Sequence, residues 1–223
     1  MSGLGELGGL PGFVESGMQV SQGDIDQYVN YMVLNPVVSN VFVGTAIVGT
    51  STQTKALVLI NKALDYPRNL LYSVAGTNDI GGTWTVNGVD QFGKAVTEVK
   101  GFGTLASAGS AYGTQIFDSV TSGSFTFAVG SAGNGSAQLG VGTVGTSVWF
   151  GLPCKIGGTS DVKGVTWINN GAGTSINGGT VGAYVDATRH AFRGTNGIAI
   201  TDVFVVQIKS TYDNTTKGTM CAL

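Results

Sequence analysis

The chain has 223 residues, a formal net charge of −2 and 37 glycines, and only 11% of its residues are charged. Soluble domains average ~7% glycine and ~25% charged residues, so this surface must consist mostly of Ser, Thr, Asn, Gln and Gly. The glycines follow no three-residue period, which excludes collagen. The 11 Lys and Arg residues form no run, which argues against a surface that binds nucleic acid.

The first 20 residues predict an extended arm, because they are rich in Gly and Leu and show no regular apolar spacing. A tail of this length cannot bury its own apolar side chains, so we expect them to lie against the protein or a neighbouring subunit. These candidate interface residues are Leu4, Leu7, Leu10, Phe13 and Val14. The arm lacks the pattern of a secretory signal, and no run approaches the ~20 apolar residues of a membrane span. We therefore expect no membrane contact.

Residues 22–34 predict one short helix. Apolar side chains recur there at the spacing of a helix face, and Pro36 follows as a stop signal. The side chains on that face are Ile25, Tyr28, Val29 and Met32. The helix completes an N-terminal region, residues 1–36, and leaves residues 37–223 as a single β domain.

From residue 37 onward the apolar pattern has a period of two, which predicts about ten to thirteen short strands separated by glycine-rich turns. The clearest hairpin joins residues 82–91 to residues 94–101, with Gly93 closing the turn. Trp84 and Val86 alternate with polar residues, which predicts one apolar and one polar face. The Gly-rich stretches 101–113 and 169–179 predict loops. The pattern indicates an all-β fold, an antiparallel β-sandwich that is jelly-roll-like.

Residues able to do chemistry are few and scattered. His190 is the single histidine, and no Gly-x-Ser-x-Gly motif accompanies it. Glu98 is the one glutamate in a predicted strand, with no second acid at a fixed spacing for glycoside hydrolysis. Cys154 and Cys221 follow no metal-ligand spacing and are interpreted as reduced thiols, although a disulfide between them is possible. We expect no catalytic residue, no metal and no cofactor, and therefore not an enzyme.

Three stretches carry a resemblance to a known class of proteins. Asp65-Tyr66-Pro67-Arg68 leads into a strand, the hairpin reads V-x-G-x-D-x-x-G-x-x-x-x-E from Val86 to Glu98, and a Gly-Leu-Pro turn follows at residues 151–153. In this order, over about residues 56–156, the chain resembles head decoration (cement) proteins of tailed bacteriophages. The resemblance implies a virion structural protein on the head surface, assembled in the host cytoplasm. Its implied partners are the major capsid protein and copies of itself in a symmetric homo-oligomer, with no nucleic acid.

A second hypothesis from the sequence is a carbohydrate- or receptor-binding module of a viral fibre or tail. It requires exposed aromatic side chains on which sugars stack, and the candidates are Trp84, Trp149, Trp167 and Tyr184. A third hypothesis, an enzyme, would have to use His190 or a pair of acids.

Overall fold

The computed structural model describes residues 25–34, 47–49, 52–60, 62–76, 81–103, 109–128, 135–142, 147–169, 172–177, 182–194 and 203–212. Within these ranges the protein is all-β, with sixteen strands that pair antiparallel and no helix as long as seven residues. The predicted all-β, antiparallel, sandwich-like fold is therefore confirmed. The five candidate interface residues of the arm lie outside the described residues.

The first sheet has four strands in the order β1-β16-β12-β13. These strands are β1 (Ile25–Leu34), β12 (Val162–Asn169), β13 (Ala172–Asn177) and β16 (Val203–Tyr212). A 3₁₀ turn at Thr159–Asp161 precedes β12.

The helix predicted at residues 22–34 is wrong, because β1 occupies residues 25–34 as a strand. This strand pairs with β16 along its whole length, from Ile25 opposite Tyr212 to Leu34 opposite Val203. Its side chains alternate, with Met32 exposed and Val33 buried. Tyrosine and β-branched residues fit a half-buried pleated surface well, so pairing with β16 prevails over the helix-like spacing.

The second sheet also has four strands, in the order β2-β10-β5-β8. These strands are β2 (Ile47–Gly49), β5 (Leu71–Gly76), β8 (Gly109–Tyr112) and β10 (Gly135–Gly140). Strand β8 corrects the loop predicted at residues 101–113, and β13 corrects the one predicted at residues 169–179. Both strands consist largely of small and polar residues, so they lack the apolar alternation by which strands are predicted.

The third sheet has eight strands in the order β14-β15-β11-β4-β9-β6-β7, with β3 paired to β9 beside that path. These strands are β3 (Thr54–Ala56), β4 (Ala63–Arg68), β6 (Gly82–Val89), β7 (Ala95–Phe102), β9 (Phe117–Phe127), β11 (Phe150–Gly151), β14 (Val185–Asp186) and β15 (Ala191–Phe192). The predicted hairpin is confirmed as β6–β7, with Val89 opposite Ala95 at the turn. Trp84 and Val86 are buried as expected.

The eight-stranded sheet contributes to two separate apolar cores. At one end, Phe150 of β11 and Phe192 of β15 stack at 5.6 Å between ring centroids and pack with Phe204 of the first sheet. At the other end, Trp84 and Phe125 lie 5.2 Å apart and pack with strands of the second sheet. One long sheet therefore joins two cores, each closed by its own four-stranded sheet.

Cys154 lies buried in the first core and is disulfide-bonded. The interpretation of this residue as a reduced thiol is therefore wrong. The sequence contains one other cysteine, Cys221, which lies outside the described residues.

Two charged side chains are buried in the described part of the fold. Arg68 at the end of β4 is fully buried, and its Nη2 donates to Asp65 Oδ1 at 2.7 Å. This ion pair joins two residues three positions apart in the same strand. Glu98 of β7 is buried beneath Tyr72 and Thr114, which both donate hydrogen bonds to its carboxylate.

Candidate functional site

The first wall of the candidate site is the tight turn between β6 and β7. The backbone N–H of Gly93 donates to Asp90 O at 3.0 Å, and Asp90 Oδ1 accepts from the N–H groups of Phe92 and Lys94 at 2.9 and 2.8 Å. Gly93 has a φ of +75°, a conformation that a side chain disfavours. This hydrogen bonding holds Gln91, Phe92 and Lys94 in place at the tip of the hairpin.

The second wall is the turn between β14 and β15. Asp186 Oδ1 accepts from the Arg189 N–H at 2.9 Å, and Asp186 Oδ2 accepts from Arg189 Nε at 2.7 Å. Burial alone would raise the pKa of Asp186, but the hydrogen bonds and charge of Arg189 outweigh it and lower that pKa. His190 follows with a φ of +49°, the one non-glycine residue with positive φ in the described part of the chain. The two walls meet where Gln91 Nε2 donates to the backbone oxygens of Arg189 and His190, at 3.0 and 3.3 Å.

Backbone N–H groups of Leu152 and Ile156 hold His190 in place. The N–H of Leu152 donates to His190 O at 2.7 Å, and the N–H of Ile156 donates to His190 Nδ1 at 3.1 Å. An accepting Nδ1 places the ring hydrogen on Nε2, so the imidazole is neutral and presents a donor. Burial, together with the charge of Lys155, lowers the pKa of His190. The edge-to-face contact with Phe92, at 5.5 Å, completes its surroundings.

Acid should destabilise the protein through His190. Because the folded state lowers the pKa of this ring below its ordinary value of about 6.5, folding favours the neutral form. Its contribution to stability is complete above pH 6.5 and is lost as the pH falls from there toward the lower folded pKa. We expect chemical denaturation curves to show this loss as the pH falls below about 6.5, and His190→Asn to reduce it. Asparagine tolerates positive φ and retains an acceptor for the Ile156 N–H; an unchanged pH profile in this variant would contradict the assignment.

Between the two walls lies a groove of about 390 Å³, which we call the turn groove. Its polar and charged lining includes Gln91, Lys94, Gln115, Lys155, Arg189 and His190. Its apolar lining consists of Phe92, Val96 and Ile116. Three of the lining side chains are cationic and one, Asp90, is anionic, so the groove carries a net positive charge.

The aromatic residues predicted as sugar platforms have different positions in the structure. Trp84 is completely buried, so its assignment as an exposed platform is wrong. Trp149 is half-buried, and the guanidinium groups of Arg189 and Arg193 lie 4.4 and 5.0 Å from its ring centroid. Tyr184 is also half-buried, with Arg193 at 5.7 Å. The side chain of Trp167 lies outside what the structure describes.

The turn groove offers several groups that can bind a ligand. Lysine, amide and imidazole donors can hold an anion or a hydroxyl group. Across the described ranges, no three His, Cys, Asp or Glu side chains come together as a metal site. Glu98, the strand glutamate considered for catalysis, is engaged by Tyr72 and Thr114 in the interior.

One turn of this site is predictable from the sequence. The way in which three distant segments meet to form the site is not. The Asp90–Gly93 turn was predicted, because its residues are characteristic of a hairpin. Lys155 and His190 lie far along the chain from that turn, and no local pattern brings the three segments together. The positive φ of His190 has no signal in the sequence.

No family model, curated protein or solved structure matches this chain. The part of the chain described by the structure contains no helix long and apolar enough to cross a membrane.

Proposed function

We propose that this chain is a virion structural protein, a decoration (cement) protein that stabilises an icosahedral phage head through contacts between subunits. The proposal rests on the positions of the large apolar side chains that are exposed in the described structure. Met32, Val48 and Val99 are 48%, 51% and 64% exposed. Each lies on the terminal strand of its sheet, in β1, β2 and β7.

Within the described residues, β1 and β7 have no hydrogen-bonded strand on their outer side, while on β2 the Nζ of Lys55 donates to Val48 O at 2.6 Å. Soluble monomers usually protect such edges with lysine, proline or a covering segment, because exposed edges pair with other chains. On the exposed side of β7, Ala95, Thr97, Val99 and Gly101 carry no charge. This uncharged side of the β7 edge is suited to burial against another subunit.

Two further large apolar side chains are exposed just after another strand that has a pairing partner on one side. Val58 and Ile60, 66% and 60% exposed, follow β3, which pairs with β9 on one side. The low charge of the whole chain supports the same conclusion, since a surface with few charges resists non-specific association poorly unless partners cover it. The resemblance to decoration proteins supplies the identity of the proposed partners, the major capsid protein and further copies of this chain.

Placing a charge on the β7 edge should disrupt assembly without unfolding the protein. We expect Val99→Lys to lower the oligomer fraction at least tenfold in sedimentation velocity, since lysine on an edge opposes strand pairing. Its stability should change by no more than about 0.5 kcal/mol, because the site is a surface position.

The matched control is Thr126→Lys. This residue is also exposed, but it lies on β9 and is paired with Thr54 of β3 on one side and Thr83 of β6 on the other. The control should assemble like the wild-type chain. Equal loss of assembly in both variants, or a wild-type chain that stays monomeric at high concentration and on phage heads, would overturn the proposal.

A further inference from the structure

The turn groove contains a buried acceptor that lacks a donor. Gln91 Oε1 is buried and makes no hydrogen bond in the described structure, while the Nε2 of the same amide is committed to the opposite wall. A buried polar atom without a partner is unfavourable. This oxygen is closed off from solvent but belongs to a residue that lines the groove, so a small turn of the Gln91 side chain would bring it to a ligand that donates a hydroxyl or N–H hydrogen.

The same groove holds two lysines whose charges are not neutralised nearby. In the described residues the ion pairs are Arg68–Asp65 and Arg189–Asp186, so Lys94 and Lys155 take part in neither. They approach from different parts of the chain, Lys94 from the β6–β7 turn and Lys155 from the segment after β11. Asp90 is the one acid in the lining, and its Oδ1 already accepts two backbone hydrogen bonds. The groove therefore attracts an anion.

Apolar surface lies beside these polar groups. Phe92 forms one side, with the ammonium of Lys155 at 5.4 Å from its ring centroid, and Val96 and Ile116 add aliphatic surface. The volume of about 390 Å³ is at the lower end of the range for small-ligand sites. These dimensions suit a sugar residue better than a long polymer segment.

We propose that the turn groove binds an acidic sugar residue, a hexuronate or a sialic acid, independently of the proposed capsid role. The ligand carboxylate faces Lys94 and Lys155, a ring hydroxyl donates to Gln91 Oε1, and the C–H groups of the sugar pack on Phe92. A neutral sugar would leave both lysines uncompensated. Inorganic phosphate has no apolar face to pack on Phe92.

The test is isothermal titration of the full-length chain with glucuronate, galacturonate and N-acetylneuraminate. Glucose and galactose serve as neutral counterparts, and inorganic phosphate as a simple anion. We expect at least one acidic sugar to bind at least tenfold more tightly than the neutral sugars and phosphate, with affinity falling as salt is raised. Failure of all three acidic sugars to exceed the neutral sugars and phosphate would overturn the proposal.

Three variants locate the binding in the groove. Lys155→Gln and Lys94→Gln should each weaken binding of the preferred acidic sugar about tenfold or more, because each removes one of the two charges that face the ligand carboxylate. Lys62→Gln removes one exposed lysine outside the groove and should leave affinity unchanged. Thermal unfolding of each variant checks that it is folded. Equal weakening by Lys62→Gln and Lys155→Gln would show non-specific charge attraction and contradict a site in the groove.

Discussion

Replacing Asp65 with asparagine should destabilise the protein by about 2 kcal/mol, because it removes the carboxylate that pairs with the fully buried guanidinium of Arg68. Arg68 is fully buried, and burial lowers its pKa despite the opposing effect of Asp65. Asparagine keeps the size of the side chain but removes the negative charge that compensates this guanidinium. The cation–π contact of Arg68 with Phe150, at 5.6 Å, lies in the first core, so loss of the charge pair affects the centre of packing.

The chain contains a matched control for this experiment. Asp186 and Arg189 form an ion pair with the same sequence spacing and the same 2.7 Å distance, but their side chains are 27% and 23% exposed. Asp186→Asn keeps an acceptor for the Arg189 N–H and should cost at most about 1 kcal/mol, as for exposed pairs. Urea denaturation of both variants measures the contrast. Equal losses of stability would contradict the importance assigned to burial at Arg68.

Replacing Glu98 with alanine should cost about 3 kcal/mol, because it removes the acceptor of three buried or part-buried hydrogen bonds. Tyr72 Oη donates to Glu98 Oε2 at 2.9 Å, and Thr114 donates to Oε1 through its N–H and its hydroxyl. Burial, followed by the charge of Glu98, raises the pKa of Tyr72, so the phenol stays protonated as the donor. The carboxylate thus ties β7 to β5 and to the segment after β8.

Glu98→Gln keeps the packing and one acceptor, and it removes the charge and the second acceptor. Glutamine has nearly the same volume and keeps one oxygen acceptor, so its cost should be about 1 kcal/mol. Both values come from denaturation midpoints with an unchanged slope. If alanine costs no more than glutamine, the hydrogen bonds of Glu98 do not contribute to stability.

The parts of the fold that were predictable are those in which local chemistry and sheet geometry agree. The β6–β7 hairpin combines apolar alternation at Trp84 and Val86 with a turn closed by Gly93, and both signals act within a few residues. The β1 segment carried two patterns at once. Its helix-like spacing was the misleading one, because the partner that stabilises β1 as a strand, β16, lies at the other end of the sequence.

Strands β8 and β13 show a second limit of sequence reasoning. Gly109–Tyr112 and Ala172–Asn177 are composed mostly of small and polar residues, which are typical of loops. They form strands because β5 pairs with β8 and β12 pairs with β13 in register. The cause of the extended conformation therefore lies in β5 and β12 and not in the residues of β8 and β13 themselves. Glycine, abundant throughout this chain, therefore occurs within strands as well as between them.

The turn groove could not be predicted for a similar reason. Gln91, Lys155 and His190 come from three separate segments, and hydrogen bonds to backbone join them only in the folded protein. The sequence contains few residues of the types that act in catalysis, including a single histidine. It gave no indication that its sparse cations gather beside Phe92.

Cryo-electron microscopy of purified phage particles that carry this chain is the most direct test of the proposed structural role. We expect density for symmetric copies of this chain on the head surface, with a neighbouring chain or the major capsid protein covering the edges at Val48 and Val99. We also expect that deletion of residues 1–20, which removes Leu4, Leu7, Leu10, Phe13 and Val14, abolishes occupancy of the particle while the β fold persists. Heads without density for the chain, or copies whose β2 and β7 edges all face solvent, would contradict the proposed role.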